Sequence, residues 1–179
     1  MFDGTSSPRT IAEYLSGRGV ECIPVVADPS SGTVASTVLL PGWIAAPTGS
    51  FPAAQQVLVN PSHGESGWVS NAVLLHGRLS EHVPADELLE CARADARGLP
   101  SWMEFETSSA QFRGQAAFFI RGIYSIEDLM LDATSRYVVT ESSSGQYLTQ
   151  LTVTVPAAVY DEVAVDVSVF NLALNIQVR

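Results

Sequence analysis

The chain has 179 residues, 46% hydrophobic and 16% charged, and its nineteen acidic residues against nine basic ones give a formal net charge of −10. That length suits one domain around a single core, and the composition is that of a folded chain. The acidic balance opposes docking on phosphate backbones or anionic headgroups, so neither nucleic acid nor direct membrane contact is expected; the basic set is all arginine, which excludes Schiff-base and phosphate-loop lysines.

A helix is expected to open at Thr10, because Thr10 and Glu13 form a T-x-x-E capping box and Ile11, Ala12 and Leu15 share a face. Gly17 and Gly19 end it. Residues 22–32 contain Pro24 and Pro29 and read as an extended connector. Strand-rich runs follow at 33–40, 53–59 and 68–79, separated by "PGW", "NPSHGESG" and "SEHVP". The next helix, 84–97, is the most strongly specified element. Pro84 suits a first turn, Asp86 and Glu87 complement the positive dipole end, Arg93 and Arg97 the negative end, and Gly98 and Pro100 supply the stop. Its apolar stripe runs through Ala85, Leu88, Leu89, Ala92, Ala96 and Leu99.

Strands are expected at 103–108, 115–124, 130–140 and 146–155, the last two joined by a hairpin at "SSSG". The stretch 157–175 carries two periods. Val163, Val165, Val167 and Val169 alternate as in a strand, whereas Tyr160, Val163, Val167, Phe170 and Leu174 recur at helical spacing. Pro156 before it and Asp161 and Glu162 in a first turn favour helix. The order helix, strands, helix, strands, helix describes an α+β architecture, a central antiparallel sheet with helices packed on it.

Little in the chain looks like chemistry. No apolar run reaches the roughly 20 residues of a membrane helix, and no secretory signal is read at "MFDGTSSPRT". A cytoplasmic location is therefore expected, with the cell envelope or secretion as the alternative if an export signal was removed. Cys22 and Cys91 read as buried reduced thiols. His63 and His82 read as solvated, His76 as facing either side of a strand, and none stands in a metal-binding frame. Glu104 and Glu106 share one face of a strand and are a conceivable acid/base pair, although a solvated strand face is the simpler reading. No catalytic residue, metal site or cofactor is expected. The candidate binding residues are the three tryptophans, Trp43, Trp68 and Trp102. Trp43, in "VLLPGWIAAP", could be an exposed platform for a ligand or the plug under a Pro-Gly turn.

Several stretches together resemble the mycobacterial LpqN-type proteins, mostly lipoproteins or secreted antigens, whose domain is similar to the PsbP-like α/β/α sandwich. They are "TIAEYLSGRGV", "LLPGW", "AAQQVLVNP", "AVLLHGRLS" with "PADELLECARADARGLPSW", "QFRGQAAFFIRGIY", "RYVVTES" and "YLTQLTVTVPAAVYDE". The resemblance covers about residues 10–175 and implies one LpqN/PsbP-like domain over 1–179, with 1–9 a flexible lead. It implies that 157–172 is helix followed by a short extended end, and that Trp43 folds back onto the sheet. It also implies a non-enzymatic module that binds another protein as accessory, adaptor or chaperone. A carrier of a small apolar ligand held between sheet and helices is the alternative, and a small hydrolase a more distant one. The family's signal and lipid-bearing cysteine are not found in the chain as written.

Overall fold

The computed structural model describes residues 9–25, 32–47 and 50–178; apart from Arg9, the expected flexible lead lies outside them. In chain order the elements are α1 (Ile11–Gly17), β1 (Cys22–Pro24), β2 (Thr33–Ser36), β3 (Ile44–Ala45), β4 (Ala54–Glu65), β5 (Trp68–Leu79), α2 (Ala85–Arg97), β6 (Met103–Ser108), β7 (Ala116–Ile126), β8 (Leu129–Ser142), β9 (Gly145–Pro156), a 3₁₀ turn at Ala157–Val159, α3 (Tyr160–Ala173) and β10 (Asn175–Val178).

The main sheet has the order β3-β4-β5-β9-β8-β7-β6 and is antiparallel throughout, while β2 and β10 pair separately as a two-stranded sheet. Side chains alternate across a strand, so the sheet sends two apolar sets to opposite sides. One side packs Phe118, Ile120, Tyr137, Val139 and Leu148 against α1 and α2; the other packs Leu74, Val138, Leu151 and Val153 against α3 and Trp43. The result is the expected α+β architecture, a sheet between two helical layers.

The Thr10 hydroxyl accepts from the Glu13 backbone N–H at 3.2 Å and the Glu13 carboxylate accepts from the Thr10 N–H at 2.9 Å, so the capping box forms. The inward face of α1 differs from the expected one: Tyr14 is buried and Ala12 is exposed. Tyr14 keeps its ring in the core while its hydroxyl donates to the Glu87 carboxylate at 2.8 Å, a placement that suits an aromatic with a polar tip. Asp95 of α2 accepts from the Ile11 N–H at 3.0 Å, so a carboxylate also sits at the positive end of α1.

Three boundaries depart from the sequence reading. Residues 22–24 are a strand on the edge of β5, not part of a connector, with Cys22 opposite Leu79 and Pro24 opposite Gly77. Pro24 is tolerated because β1 is short and lies at an edge. The run 33–40 ends as a strand at Ser36 and pairs with β10, a partner 139 or more positions away that local periodicity does not reveal. The expected break "NPSHGESG" is instead largely strand: β4 continues to Glu65 through a register shift between Asn60 and Gly64. A bulge absorbs the turn-forming residues without ending the pairing. The two-period stretch is helix, as α3, and β10 is its extended end.

Candidate functional site

The "PGW" segment forms a tight turn: the Trp43 N–H donates to the Leu40 carbonyl at 3.1 Å, and Gly42 takes φ 81° at the second corner. Trp43 is 2% exposed, meets Phe170 edge to face at 4.7 Å, and donates its indole N–H to Asp166 at 2.8 Å. In this position its ring offers no surface to a partner. Trp68 and Trp102 are half-buried on a different cluster, Tyr124, Leu131 and Ala133, so the three tryptophans do not converge. Trp102 lies where Gly122 leaves room, since a Cβ there would come 2.5 Å from its ring. The indole nitrogens of Trp68 and Trp102 are buried with no hydrogen-bond partner.

The nucleophiles and bases are equally dispersed. Cys22 is exposed rather than buried and Cys91 half-buried, because β1 runs along an edge and Cys91 sits at the margin of the α2 stripe. Desolvation raises both thiols, Asp95 and Glu90 add to the effect at Cys91, and neither thiol bonds a histidine among the described residues. A thiol held protonated is a poor nucleophile. Glu104 and Glu106 do not share a face. A register shift between them sends Glu104 to Arg97 on the α2 side, at 3.4 Å, and Glu106 to the α3 side. His82 is solvated beside Glu141 at 3.0 Å, but His63 is half-buried, 3.5 Å from Glu162, because the longer β4 holds it beside α3. Among the described residues no three His, Cys, Asp or Glu side chains group to hold a metal.

His76 is buried, at 2% exposure. Its Nδ1 lies 2.9 Å from the Thr149 hydroxyl, its Nε2 2.8 Å from the Thr33 hydroxyl, and its ring stacks on Tyr147 at 5.4 Å. Burial lowers its pKa. The unfolded chain therefore takes up the proton first as pH falls, and stability declines below about 6.5 by up to roughly 1.4 kcal/mol per pH unit until the folded-state pKa is reached. Urea unfolding between pH 7.5 and 5 is expected to show this decline, and His76→Gln to flatten it.

On the α3 side of the sheet, two surface features of the described residues offer recognition chemistry. The first is a cleft of 530 Å³ between α3 and strands β6–β8, with Phe119, Arg121, Thr134 and Arg136 on its floor and Tyr160 and Asn171 on its α3 wall. Pairing sets this floor: Phe119 is opposite Arg136 and Arg121 opposite Thr134. Asp132, two positions from Thr134 and on the same face, therefore lies diagonal to Arg121 and forms a two-pronged ion pair with it, Nη2 to Oδ2 at 2.9 Å and Nε to Oδ1 at 3.2 Å. The Arg121 guanidinium also stacks on Tyr160 at 3.9 Å. Desolvation pushes the buried Asp132 carboxyl up and Arg121 opposes it, while the Asp132 bond raises Arg121. The second feature is the outer face of α3. Val165 is 74% and Leu172 66% exposed, and they lie seven positions apart on one stripe, opposite the buried Val163, Val167 and Phe170.

The cleft escaped the sequence reading, although it left a signal. Arg121 in "FFIRGIY" and Asp132 in "MLDATS" are charges set inside strand runs that are otherwise uncharged, and such charges need partners.

The model of the family described as "Probable lipoprotein LpqN" matches residues 7–177. The "Proline-rich 28 kDa antigen" of Mycobacterium tuberculosis (strain ATCC 25618 / H37Rv) is 30% identical over 148 residues, 81% of this chain and 46% of that protein. LpqT of the same strain is 27% identical over 153 residues, 84% of this chain and 66% of that protein. The chain thus spans about half the length of the antigen. In structure it is similar to LpqN of Mycobacterium tuberculosis, described as involved in cell envelope biogenesis, with a TM-score of 0.83 at 19% identity over 96% of this chain and 99% of that one. The cyanobacterial PsbP of Synechocystis sp. PCC 6803 follows at 0.53 and 10% identity over 99% and 98%. These likenesses speak to fold, and neither the family's description nor those of the relatives names an enzymatic activity. A family model matched along nearly the whole chain, on the sheet and helices described above, places this protein in the LpqN lipoprotein family.

Proposed function

We propose that this protein is a non-enzymatic binding module of the cell envelope that docks another protein on the outer face of α3. The observation that carries the reading is the apolar character of α3 on both sides. A surface helix normally turns a polar face to water, yet here Val165 and Leu172 stand 74% and 66% exposed above a buried face that is apolar at Val163, Val167 and Phe170 and polar at Asn171. Asp161 and Glu162, both exposed, rim the stripe at its start, and the chain as a whole carries −10. The matching partner presents an apolar anchor flanked by arginine or lysine. Accessory or chaperone-like shielding of an exported protein's apolar segment fits that chemistry. The envelope is supported as the location by the family's description as lipoproteins and by the role described for LpqN; no helix among the described residues is long and apolar enough to cross a membrane.

The test is crosslinked purification from native cells of the wild type and of Val165→Asp/Leu172→Asp. Exposed substitutions of this kind change stability by only about 0.5 kcal/mol, so the variant should fold normally and lose the stoichiometric partner. Recovery of the same partner by both proteins would overturn the assignment to α3.

A second reading rests on a separate observation. A pocket of 340 Å³ between α1 and the sheet is lined by Ile11, Leu15, Leu75 and Leu148 with the polar His76 and Asp95, in the size range of small-ligand sites. Organic extraction of protein purified from its host, followed by mass spectrometry, should yield a stoichiometric apolar compound if this pocket carries cargo. A clean extract would remove the reading.

A further inference from the structure

We infer that the cleft between α3 and β6–β8 is a binding site for a carboxylate whose neighbouring N–H or O–H donates a hydrogen bond, held by Arg136 and Asn171. The Arg136 guanidinium lies over the rings of both Phe112, at 4.5 Å, and Phe119, at 5.0 Å. Aromatic contacts of this kind engage the π-face of the rings and satisfy none of the guanidinium N–H donors, which remain for a planar acceptor. Unlike Arg121 on the neighbouring strand, Arg136 makes no ion pair and no hydrogen bond with any described residue, and its Nε is buried without a partner. A half-buried cation lacking a counter-ion is costly. Burial works against its charge, and Glu106 opposes that only from a distance.

The second observation is independent and comes from the opposite wall. Asn171 is 5% exposed and lines the same cleft. Its Nδ2 donates to the Thr134 hydroxyl at 3.1 Å and to the Val167 carbonyl at 2.9 Å, which fixes the amide and leaves Oδ1 buried with no donor. The cleft thus presents unused donors at Arg136 and an unused acceptor at Asn171, and buried polar groups without partners are uncommon in folded proteins. A carboxylate satisfies the planar donor edge, and an adjacent N–H or O–H satisfies Oδ1. A doubly charged phosphate fits less well, because Glu106 lines the same cleft and the whole chain is strongly acidic.

The site meets the outer stripe of α3 at Leu172, on its lining, and does not include Val165; it can be tested on the full chain by titration followed through two-dimensional NMR of backbone amides. The probes are N-acetylglycine, a carboxylate beside an N–H; lactate, a carboxylate beside an O–H; and the neutral N-acetylglycine amide. The wild type is expected to show saturable shifts around 119–121, 134–136 and 171 with at least one acid and none with the neutral amide. Arg136→Met, which keeps the packing length, should weaken binding about tenfold or more, and Arg136→Lys, which keeps charge but loses the planar fork, at least about threefold. If the Met variant does not fold, the Lys variant decides. Tighter binding of N-acetylglycine points to a peptide end as the natural ligand, and tighter binding of lactate to a small hydroxy acid; either result supports the site. No saturable shift with either acid, equal shifts with the neutral amide, or unchanged affinity in a folded Arg136 variant would overturn it. Retained acid binding in the single variant Val165→Asp, at a position that does not line the cleft, separates this site from the protein-docking reading.

Discussion

Trp43→Ala is expected to destabilise the protein by about 3 to 5 kcal/mol, the range for truncating a buried aromatic. The cause is the position of the indole. It is 2% exposed, wedged edge-on against Phe170, and it ties the turn after Leu40 to Asp166 of α3. Truncation opens a cavity under the only helix on that side of the sheet among the described residues, and it also removes the donor to Asp166. Trp43→Phe separates the two effects, because it keeps most of the apolar volume and loses the N–H; it should cost about 1 to 2 kcal/mol. Urea unfolding measures both. A Trp43→Ala protein as stable as the wild type would show that the ring does not hold α3 in place.

Arg121→Met is expected to cost about 3 to 5 kcal/mol at neutral pH, because it leaves the Asp132 carboxylate buried without its partner. Asp132 is 4% exposed, and its described side-chain hydrogen bonds all come from Arg121. The deficit carries a pH signature. Without Arg121, desolvation holds the folded-state pKa of Asp132 above its unfolded value of about 3.9. The folded state then binds the proton more readily, so the variant recovers stability relative to wild type as pH falls through the folded-state pKa toward 4. Adding Asp132→Leu should restore much of the loss at pH 7, since replacing both members of a buried pair by apolar groups is often near neutral. A pH-independent deficit, or no rescue in the double variant, would mean that the loss arises from the Tyr160 stack rather than the ion pair.

These two sites show how far the sequence could be read. The helix 84–97 was legible because its caps, dipole charges and apolar stripe all agree, and the structure places it at Ala85–Arg97. Trp43 was legible as a plug only through the resemblance, since a tryptophan beside Pro-Gly has the same local signature whether its ring turns in or out. The pairing of β2 with β10 was not legible, because it joins residues near position 35 to residues near 176 through contacts that leave no periodic trace. The Glu104/Glu106 pair failed for a local reason: a single bulge reverses the face of every later side chain, and no residue in "MEFETS" announces it. The cleft failed for a tertiary one. Arg121, Arg136 and Asn171 lie on three different elements, and only the packing of α3 across β7 and β8 brings them together.

The central claim, that α3 presents a docking face to another protein, is tested most directly by a photo-crosslinking residue placed at Val165, at Leu172 and, as a control, at Glu90 on the exposed side of α2, in protein expressed in its native cells. We predict one discrete heavier adduct from positions 165 and 172 and none from position 90. No adduct from the α3 positions, or the same adducts from all three, would contradict it.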